Sequence, residues 1–293
     1  MTKNKVAIIG GGAIGQAIGK LCEPEALVGI YDISPERATV SDPALLEEVS
    51  VIFLCVPTEA IRPALSTYRP YIKEATLVVG VSKGLEQASG KLLVELLAEI
   101  LPEQPTGILY GPMIAVDIMA GQVTKGILAS RAQEVGELLQ GVLNKDLFSF
   151  SVTTEVEAVC LLGVLKNIYA LGFGILLGQG SGTNTKACFS VEALAEMKKI
   201  LGSLGYDENL AYGPAGLGDF LATAYSEYSK NQTAGLALAT GAKPLEAEGL
   251  LTLRNMPASW SAFLPNCPIL TILSKIVAGE EPVNNLIDVV FHH

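Results

Sequence analysis

The sequence has no histidine before its last two residues, His292 and His293, whose position at the end is typical of the remainder of a purification tag. Histidine is the side chain that most often carries a proton in enzymes, because it titrates near neutral pH. Chemistry that needs an internal histidine as its proton carrier is therefore excluded. Lysine, aspartate, glutamate, tyrosine and cysteine remain as candidates for that task.

The chain also lacks an excess of basic residues. Its 20 lysines and arginines are outnumbered by 30 aspartates and glutamates, so the net charge is −10 at pH 7. Nucleic acids and anionic membranes are bound by basic surfaces, so we expect neither as a partner. A site for a phosphate group would have to be locally basic.

Cysteines are few, and nothing resembles a secretion signal. The five cysteines lie far apart among apolar residues without a C-x-x-C pair, which indicates reduced core thiols in a cytoplasmic protein. No basic and then apolar leader precedes the first apolar strand, so we expect neither export nor a membrane anchor. The long apolar run 156–177 contains Glu157 and Lys166, and we interpret it as a buried helix of a soluble core. The cysteines are Cys22, Cys55, Cys160, Cys188 and Cys267.

A glycine-rich turn follows the first predicted strand, residues 6–9. Gly10 permits a sharp reversal, Gly12 permits close approach of phosphates, and Gly15 permits close packing of the next helix on the strand. Backbone N–H groups at the start of that helix face the negative charge of a pyrophosphate. The turn therefore predicts dinucleotide binding. The residues assigned to the cofactor here are Gly10, Gly12, Ala13, Ile14 and Gly15.

An acidic residue ends the second predicted strand, residues 27–31. Asp32 lies about 20 residues after Gly10, the spacing at which dinucleotide-binding folds place an acid for the adenine ribose hydroxyls. A purely structural turn is the alternative, and the order strand, turn, helix, strand and acid argues against it. A carboxylate at this place repels the 2′-phosphate of NADP, so we predict NAD as the cofactor, with NADP as the alternative.

Strand-like and helix-like patterns divide the sequence into two parts. Short β-rich runs alternate with helical patterns up to about residue 152, which is typical of a wound, mostly parallel sheet. Beyond about Thr154 the patterns are helical. We therefore predict an α/β Rossmann-type domain over residues 1–152 and an all-α domain over residues 153–293. The later predicted strands are 51–54, 76–81, 107–110, 126–129 and 148–152.

Two lysines are candidates for chemistry. Lys166 and Asn167 lie within an apolar helix, where desolvation favours the neutral amine that can accept a proton. The alternative is a structural lysine whose stem lies along the helix and whose ammonium reaches water. Lys83 directly follows an apolar strand, and so lies at the carboxyl edge of the sheet, where ligands of wound sheets bind. An ordinary surface lysine is the alternative for Lys83.

Further short segments complete a recognisable series. They are Val56-Pro57-Thr58, Gly111-Pro112, Asn184-Thr185-Lys186, Leu194-Ala195-Glu196-Met197, Gly216-Leu217-Gly218-Asp219, Ser229 with Asn231, and Glu248-Gly249. Together with the glycine turn and the segments around Lys83 and Lys166, they resemble the NAD(P)-dependent glycerol-3-phosphate dehydrogenases. The resemblance runs in the same order along nearly the whole chain. It implies a Rossmann domain followed by an all-helical domain.

The resemblance also implies a reaction and a set of site residues. The reaction interconverts sn-glycerol 3-phosphate and dihydroxyacetone phosphate with NAD or NADP. Lys166 would move the proton, Asp219 would hold Lys166, and Lys83 would polarise the carbonyl oxygen. Further implied cofactor contacts are Pro57, Lys83, Ala115, Lys230 and Glu248. The implied substrate contacts are Lys83, Gly111, Lys166, Asn167, Asp219, Ser229, Lys230 and Asn231. We expect a small anionic substrate, no metal ion, and a cytoplasmic homo-oligomer, for example a dimer.

Four departures from the family pattern bear on the substrate and the cofactor. Lys230 stands where the family has arginine, so the planar fork that grips phosphate is lost. Met113 stands where the family has a side chain that carries a hydroxyl group, so one hydrogen bond to the substrate is missing and an apolar side chain fills the space. A different or bulkier substrate becomes possible. Glu192 replaces an arginine and reverses its charge. The stretch 32–51 is short, so we expect a helix and a strand near the adenine pocket to be missing.

Three alternatives remain at this stage. A related lysine-dependent reductase would act on another small anionic ketone, keto acid, phosphonate or imine, and Met113 and Lys230 favour it. A non-catalytic dinucleotide sensor would keep the glycine turn but would not need Lys83, Lys166 and Asp219. A methyltransferase would use a similar turn but has no use for paired lysines and a helical second domain.

Overall fold

The computed structural model describes residues 3–23, 25–132 and 134–292, so His293 of the predicted tag lies outside the described residues. The chain forms two compact units. The first comprises the residues up to Lys83 together with Lys91–Glu157, and the second comprises Gly84–Gly90 and the residues from Ala158 onward. The domain limits predicted from the sequence, 1–152 and 153–293, remain a prediction.

The first unit contains a seven-stranded sheet with the order β2-β1-β3-β4-β5-β6-β7. All neighbouring strands are parallel except β5 and β6, which are antiparallel. The predicted mostly parallel α/β sheet is therefore confirmed, and each predicted strand is present. The strands are β1 Asn4–Ile9, β2 Ala26–Tyr31, β3 Val51–Leu54, β4 Leu77–Gly80, β5 Thr106–Tyr110, β6 Thr124–Ala129 and β7 Phe148–Thr153.

Continuous apolar runs explain the central strands. Every residue of β3 and β4 is buried, as expected for parallel strands that are covered on both faces. The stretch between β2 and β3 holds one short 3-10 helix, Pro43–Glu48, and neither an α-helix nor a strand, as its shortness predicted. The helices of the first unit are α1 Ala13–Cys22, α2 Ile61–Tyr68, α3 Leu93–Ile100, α4 Ala115–Met119 and α5 Val135–Gln140.

Helices make up the second unit, and a long apolar helix passes into its core. This helix, α6, spans Val156–Gly178 and is long and apolar enough to cross a membrane by length and composition alone. The apolar window is 100% buried in the structure, which is the situation of a core helix in a soluble protein. The other helices are α7 Thr183–Ser203, α8 Asp219–Tyr225, α9 Lys230–Ala239, α10 Glu248–Arg254, α11 Pro268–Ala278 and α12 Asn285–His292.

Glycines allow the helices of the second unit to approach α6 closely. A Cβ on Gly235 of α9 would lie 2.0 Å from the carbonyl oxygen of Leu171, and one on Gly174 would lie 2.1 Å from the carbonyl oxygen of Gln232. A Cβ on Gly249 of α10 would lie 2.4 Å from the carbonyl oxygen of Asn167. Backbone therefore packs on backbone where α9 and α10 meet the middle of α6.

The five cysteines are free, and four of them are buried as predicted. Cys188 is exposed, so its prediction as a core residue is wrong. Its neighbour Phe189 is fully buried, which shows that α7 turns the phenylalanine inward at this point and the cysteine outward.

Candidate functional site

The glycine turn of the first unit has the geometry that dinucleotide binding requires. Gly10 has a φ of 105°, in the region that favours glycine, and its N–H donates to the carbonyl oxygen of Tyr31 at 2.8 Å. A Cβ on Gly15 would lie 1.9 Å from the carbonyl oxygen of Gly10, so α1 can begin this close to β1 only with glycine there. A Cβ on Gly12 would meet no atom within 4 Å. The space beside Gly12, at the start of α1, is therefore open to a phosphate.

Asp32 lies against this turn. Its Oδ2 accepts a hydrogen bond from the N–H of Gly11 at 2.6 Å, and its Oδ1 accepts one from the N–H of Ser34 at 2.8 Å. The carboxylate thus links the turn to the end of β2. Because each carboxylate oxygen has a second lone pair, both remain able to accept a hydrogen bond from a ribose hydroxyl.

Lys83 and Gly111 lie together at the carboxyl edge of the sheet. The Nζ of Lys83 donates to the carbonyl oxygen of Gly111 at 3.3 Å and lies 5.3 Å from the centre of the Tyr110 ring. Pro57 follows β3 at the same edge, and Ala115 begins α4 soon after β5. The residues assigned to this edge from the sequence therefore follow three adjacent strands.

Met113 contributes to the core of the first unit. Its side chain is buried and belongs to the apolar cluster that includes Ile118 and Leu128. The apolar side chain that replaces the family's hydroxyl is therefore accommodated by packing.

Lys166 meets two side chains of α8 in the second unit. Its Nζ donates to Thr223 Oγ1 at 2.8 Å and lies 3.4 Å from Asp219 Oδ1. Thr223 Oγ1 in turn lies 3.4 Å from Asp219 Oδ1, as its donor. Lys166 is 7% exposed and Asp219 is 2% exposed, so this ion pair is largely buried. The Nζ of Lys166 is therefore held by α8 side chains. It does not extend along α6 to solvent, as it would in the alternative of a structural lysine.

The start of α8 explains this geometry. A π-helical turn, Pro214–Gly218, comes immediately before Asp219, and a Cβ on Gly216 would lie 2.2 Å from the carbonyl oxygen of Ala211. Thr223 follows Asp219 by one helical turn, which places both side chains on one face of α8. Our sequence analysis did not identify Thr223. The i, i+4 spacing from Asp219 was the signal that could have found it.

A chain of amides joins three helices beside Lys166. Asn231 of α9 donates from Nδ2 to Asn167 Oδ1 at 2.9 Å, and its Oδ1 accepts from the N–H of Gly249 at 2.8 Å. Asn167 and Asn231 are both buried. This pair fixes α9 and the start of α10 against α6, next to the residue that we consider for proton transfer.

The remaining predicted substrate and cofactor contacts of this unit lie at helix starts. Ser229 caps α9, because its Oγ accepts from the N–H of Gln232 at 3.2 Å. Lys230 is the exposed first residue of α9, and Glu248 is the exposed first residue of α10. Glu192 is exposed on α7.

A buried carboxylate, Glu196 of α7, joins this helix to α6 and to the start of α11. Glu196 accepts hydrogen bonds from the N–H groups of Ile269 and Leu270 at the start of α11, at 2.5 and 3.0 Å, and from Tyr169 Oη at 2.9 Å. Burial raises the pKa of Glu196 to about 7, although these hydrogen bonds act in the opposite direction. Tyr169 lies one turn after Lys166. Its ring packs edge-on against the ring of Phe220, and the two ring centres lie 6.3 Å apart. In the sequence, Glu196 was recognised only as part of a segment that resembles the family, and no role was predicted for it.

Comparisons with known proteins agree along the chain. Residues 37–136 match the family model described as NAD-dependent glycerol-3-phosphate dehydrogenase N-terminus, and residues 155–288 match the corresponding C-terminus model. A glycerol-3-phosphate dehydrogenase [NAD(P)+] of Rhizobium etli is 30% identical over 97% of this chain and 96% of its own length. One from Desulfitobacterium hafniense is 33% identical over 83% of this chain and 75% of its own length.

A solved structure gives the same result for the fold. The crystal structure of glycerol-3-phosphate dehydrogenase from Coxiella burnetii has a TM-score of 0.88 and 25% identity, and the match covers 99% of both chains. The Rossmann domain followed by a helical domain, as predicted, is therefore the fold of this chain.

Proposed function

The chain belongs to the NAD-dependent glycerol-3-phosphate dehydrogenase family, and we propose that it interconverts sn-glycerol 3-phosphate and dihydroxyacetone phosphate. The observation that carries the proposal is the buried Lys166 with Asp219 and Thr223, in a chain that also holds an intact dinucleotide turn. An enzyme of this kind oxidises a CH–OH group to a ketone with NAD or NADP, and in the reverse direction reduces the ketone with NADH or NADPH.

The residues present fit a nicotinamide dinucleotide. The open space beside Gly12 suits the pyrophosphate, and the Asp32 carboxylate suits the ribose hydroxyls of the adenosine half. When bound, this cofactor supplies or accepts the hydride. We assign cofactor contacts to Pro57, Lys83 and Ala115 at the edge of the sheet. In the second unit we assign them to Lys230 and Glu248.

The proton is assigned to Lys166. During reduction its Nζ gives a proton to the carbonyl oxygen of dihydroxyacetone phosphate, and during oxidation it takes the proton back. Asp219 compensates the ammonium charge in this buried place, and Thr223 fixes the direction in which Nζ points. To Lys83 of the first unit we assign the stabilisation of negative charge that develops on the substrate.

Binding of the substrate phosphate is assigned to the start of α9. Lys230 provides an exposed ammonium there, and the N-terminal end of the helix dipole adds positive potential. Ser229 and Asn231 hold that helix start in place through the cap and the amide pair. Gly111 and Asn167 complete the proposed substrate contacts.

The test of this function is NADH oxidation followed at 340 nm with dihydroxyacetone phosphate, with unphosphorylated dihydroxyacetone as the control. We expect turnover with the phosphate ester and little or none with dihydroxyacetone. No turnover with the phosphate ester would contradict the proposal. It would favour the second candidate, a lysine-dependent reductase of another small anionic ketone, keto acid, phosphonate or imine, which the buried Met113 and the single charge of Lys230 support.

The cofactor preference gives one prediction. We expect a lower Kd for NADH than for NADPH, by about tenfold, because the 2′-phosphate would meet the Asp32 carboxylate. Asp32→Asn should reduce this preference, as measured by fluorescence titration with both cofactors. Asp42→Asn removes the same charge from an exposed cap and should leave the preference unchanged. Tighter binding of NADPH than of NADH by the unchanged protein would show that Asp32 does not face the ribose.

The phosphate end gives a second prediction. Lys230→Ala should raise KM for dihydroxyacetone phosphate by about tenfold and leave any activity on dihydroxyacetone unchanged, because one ion contact is lost. Lys230→Arg should lower KM, because two parallel charge-assisted bonds replace one point contact. Lys243→Ala is the control, since Lys243 is also exposed but lies beyond the end of α9. Equal effects on both substrates would place Lys230 away from the phosphate.

We further propose a cytoplasmic homo-oligomer. Light scattering coupled to size-exclusion chromatography measures the mass against 30.8 kDa for one chain. A mass near one chain at assay concentration would contradict this part of the proposal.

A further inference from the structure

We propose that Tyr110 is a positioning residue for Lys83, which it holds at two places, the ammonium and the backbone. The inference rests on the proposed function, in which Lys83 acts on the carbonyl oxygen of the substrate. Tyr110 is the last residue of β5, and its side chain is 1% exposed. No sequence motif directed attention to it.

The strand register brings the two residues together. Gly80 of β4 pairs with Ile108 of β5 in parallel, and the same register continued past the strand ends places Ser82 beside Tyr110 and Lys83 beside Gly111. The contacts agree with this: Tyr110 Oη donates to the carbonyl oxygen of Ser82, and Lys83 Nζ donates to that of Gly111 at 3.3 Å. The tyrosine hydroxyl therefore ties down the backbone immediately before Lys83.

That backbone is also held from its other side. Ser82 Oγ donates to the carbonyl oxygen of Val56, which follows β3, and Thr58 Oγ1 donates to the carbonyl oxygen of Lys83 at 3.4 Å. Residues 82 and 83 are thus held between the ends of β3 and β5. Without the tyrosine hydroxyl, the tie to β5 through the Ser82 carbonyl is lost.

The ring of Tyr110 acts on the other end of the lysine. Lys83 Nζ lies 5.3 Å from the ring centre, within the range in which the negative face of an aromatic ring attracts an ammonium. A lysine side chain has four rotatable bonds, so two attractive contacts at Nζ, the ring face and the Gly111 carbonyl, restrict where its charge lies. A group that polarises a carbonyl oxygen needs such restriction, because a misplacement of about 1 Å can lower a rate by about 10²-fold.

Two variants separate these contacts. Tyr110→Phe keeps the ring and removes the tie to Ser82, and we expect kcat for dihydroxyacetone phosphate to fall about threefold. Tyr110→Leu removes both, and we expect kcat to fall at least about tenfold with less than about a twofold change in KM. Phe148→Leu is the control, because it shortens a buried aromatic residue of the same sheet, in β7, which lies three strands from β4 in the sheet.

A second measurement does not need turnover. Acetic anhydride at a limiting dose, followed by peptide mass spectrometry, gives the labelling rate of Lys83 relative to Lys125, an exposed lysine of the same unit. We expect the ratio to rise at least about threefold in Tyr110→Leu, where the ammonium has lost its ring, and to stay near the original value in Tyr110→Phe and Phe148→Leu.

The outcomes are distinct. An unchanged labelling ratio together with an unchanged kcat in folded Tyr110→Leu would overturn the proposal. If Tyr110→Leu does not fold, Tyr110→Phe decides alone, and an unchanged kcat in that variant overturns it. If the unmodified protein does not reduce dihydroxyacetone phosphate, the proposed function fails, and the labelling ratio still tests whether Tyr110 holds Lys83.

Discussion

Replacing Lys166 by methionine is expected to lower kcat for reduction of dihydroxyacetone phosphate by about 10²- to 10⁴-fold, the range that general acid–base catalysis contributes. Methionine keeps most of the volume and the apolar stem of lysine, so the buried position between α6 and α8 stays filled. The proton carrier and its bonds to Thr223 and Asp219 are lost, and the buried Asp219 carboxylate no longer has the Lys166 ammonium beside it. Steady-state kinetics gives kcat, and titration of protein fluorescence gives the Kd for NADH, which should hardly change.

The control for this prediction is Lys275→Met. Lys275 is an exposed lysine of α11 in the same unit, and its replacement should leave kcat within about twofold, as for surface substitutions in general. A value of kcat near the original one in Lys166→Met would show that the lysine is structural and that the proposed proton transfer is wrong. A rise in the Kd for NADH equal to the loss of kcat would instead place Lys166 in cofactor binding.

Replacing Gly235 by alanine should destabilise the second unit by roughly 3 kcal/mol, the upper part of the range for overpacking. The added Cβ would lie 2.0 Å from the carbonyl oxygen of Leu171 and 2.8 Å from the N atom of Ile175. Both are backbone atoms of α6, so no flexible side chain can give way and α9 itself must move. Thermal unfolding followed by circular dichroism should show a midpoint lowered by about 5–10 °C.

Gly182→Ala is the matched control for Gly235→Ala. Gly182 caps α7 with a φ of −69°, which any residue adopts, and a Cβ there would meet no atom within 4 Å. Its replacement should lower the free energy of unfolding by no more than about 1 kcal/mol, because alanine is a poorer N-cap residue than glycine but meets no steric conflict there. Since Asn231 precedes Gly235 by one turn, the movement of α9 should also weaken the bond between Asn231 and Asn167. Equal midpoints for the two variants would mean that α6 and α9 adjust to the added methyl group without cost.

The sheet could be predicted from the sequence because its signals are local. Apolar runs such as 51–54 have the length and composition of buried strands, and the glycine turn has a fixed spacing next to the first of them. Asp32 was found for the same reason, because it ends a strand at a known distance from Gly10. Lys166 could be singled out because a charged side chain in an apolar helix is conspicuous in any sequence.

The residues that the sequence did not reveal depend on contacts between distant segments. Thr223 matters because α8 lies beside α6, and Tyr110 because β5 continues in register with β4. Glu196 accepts a hydrogen bond from the N–H of Ile269, which lies 73 residues further along the chain. No local pattern encodes such pairs. The assignments of Ser229 and Asn231 came from a resemblance, and only the coordinates identify the cap and the amide pair that these side chains form.

The segment Gly84–Gly90 has a consequence for dividing this protein. It begins and ends with glycines of positive φ, 122° and 69°, and belongs to the second unit although the chain on both sides of it belongs to the first. Leu85 and Glu86 are buried, and Gln87 Oε1 accepts from Asn255 Nδ2 at 2.5 Å. Two fragments produced by dividing the chain after residue 157 would therefore not fold independently. The C-terminal fragment would lack residues 84–90, which pack within the second unit. The N-terminal fragment would carry these residues as a loop without the unit against which it packs.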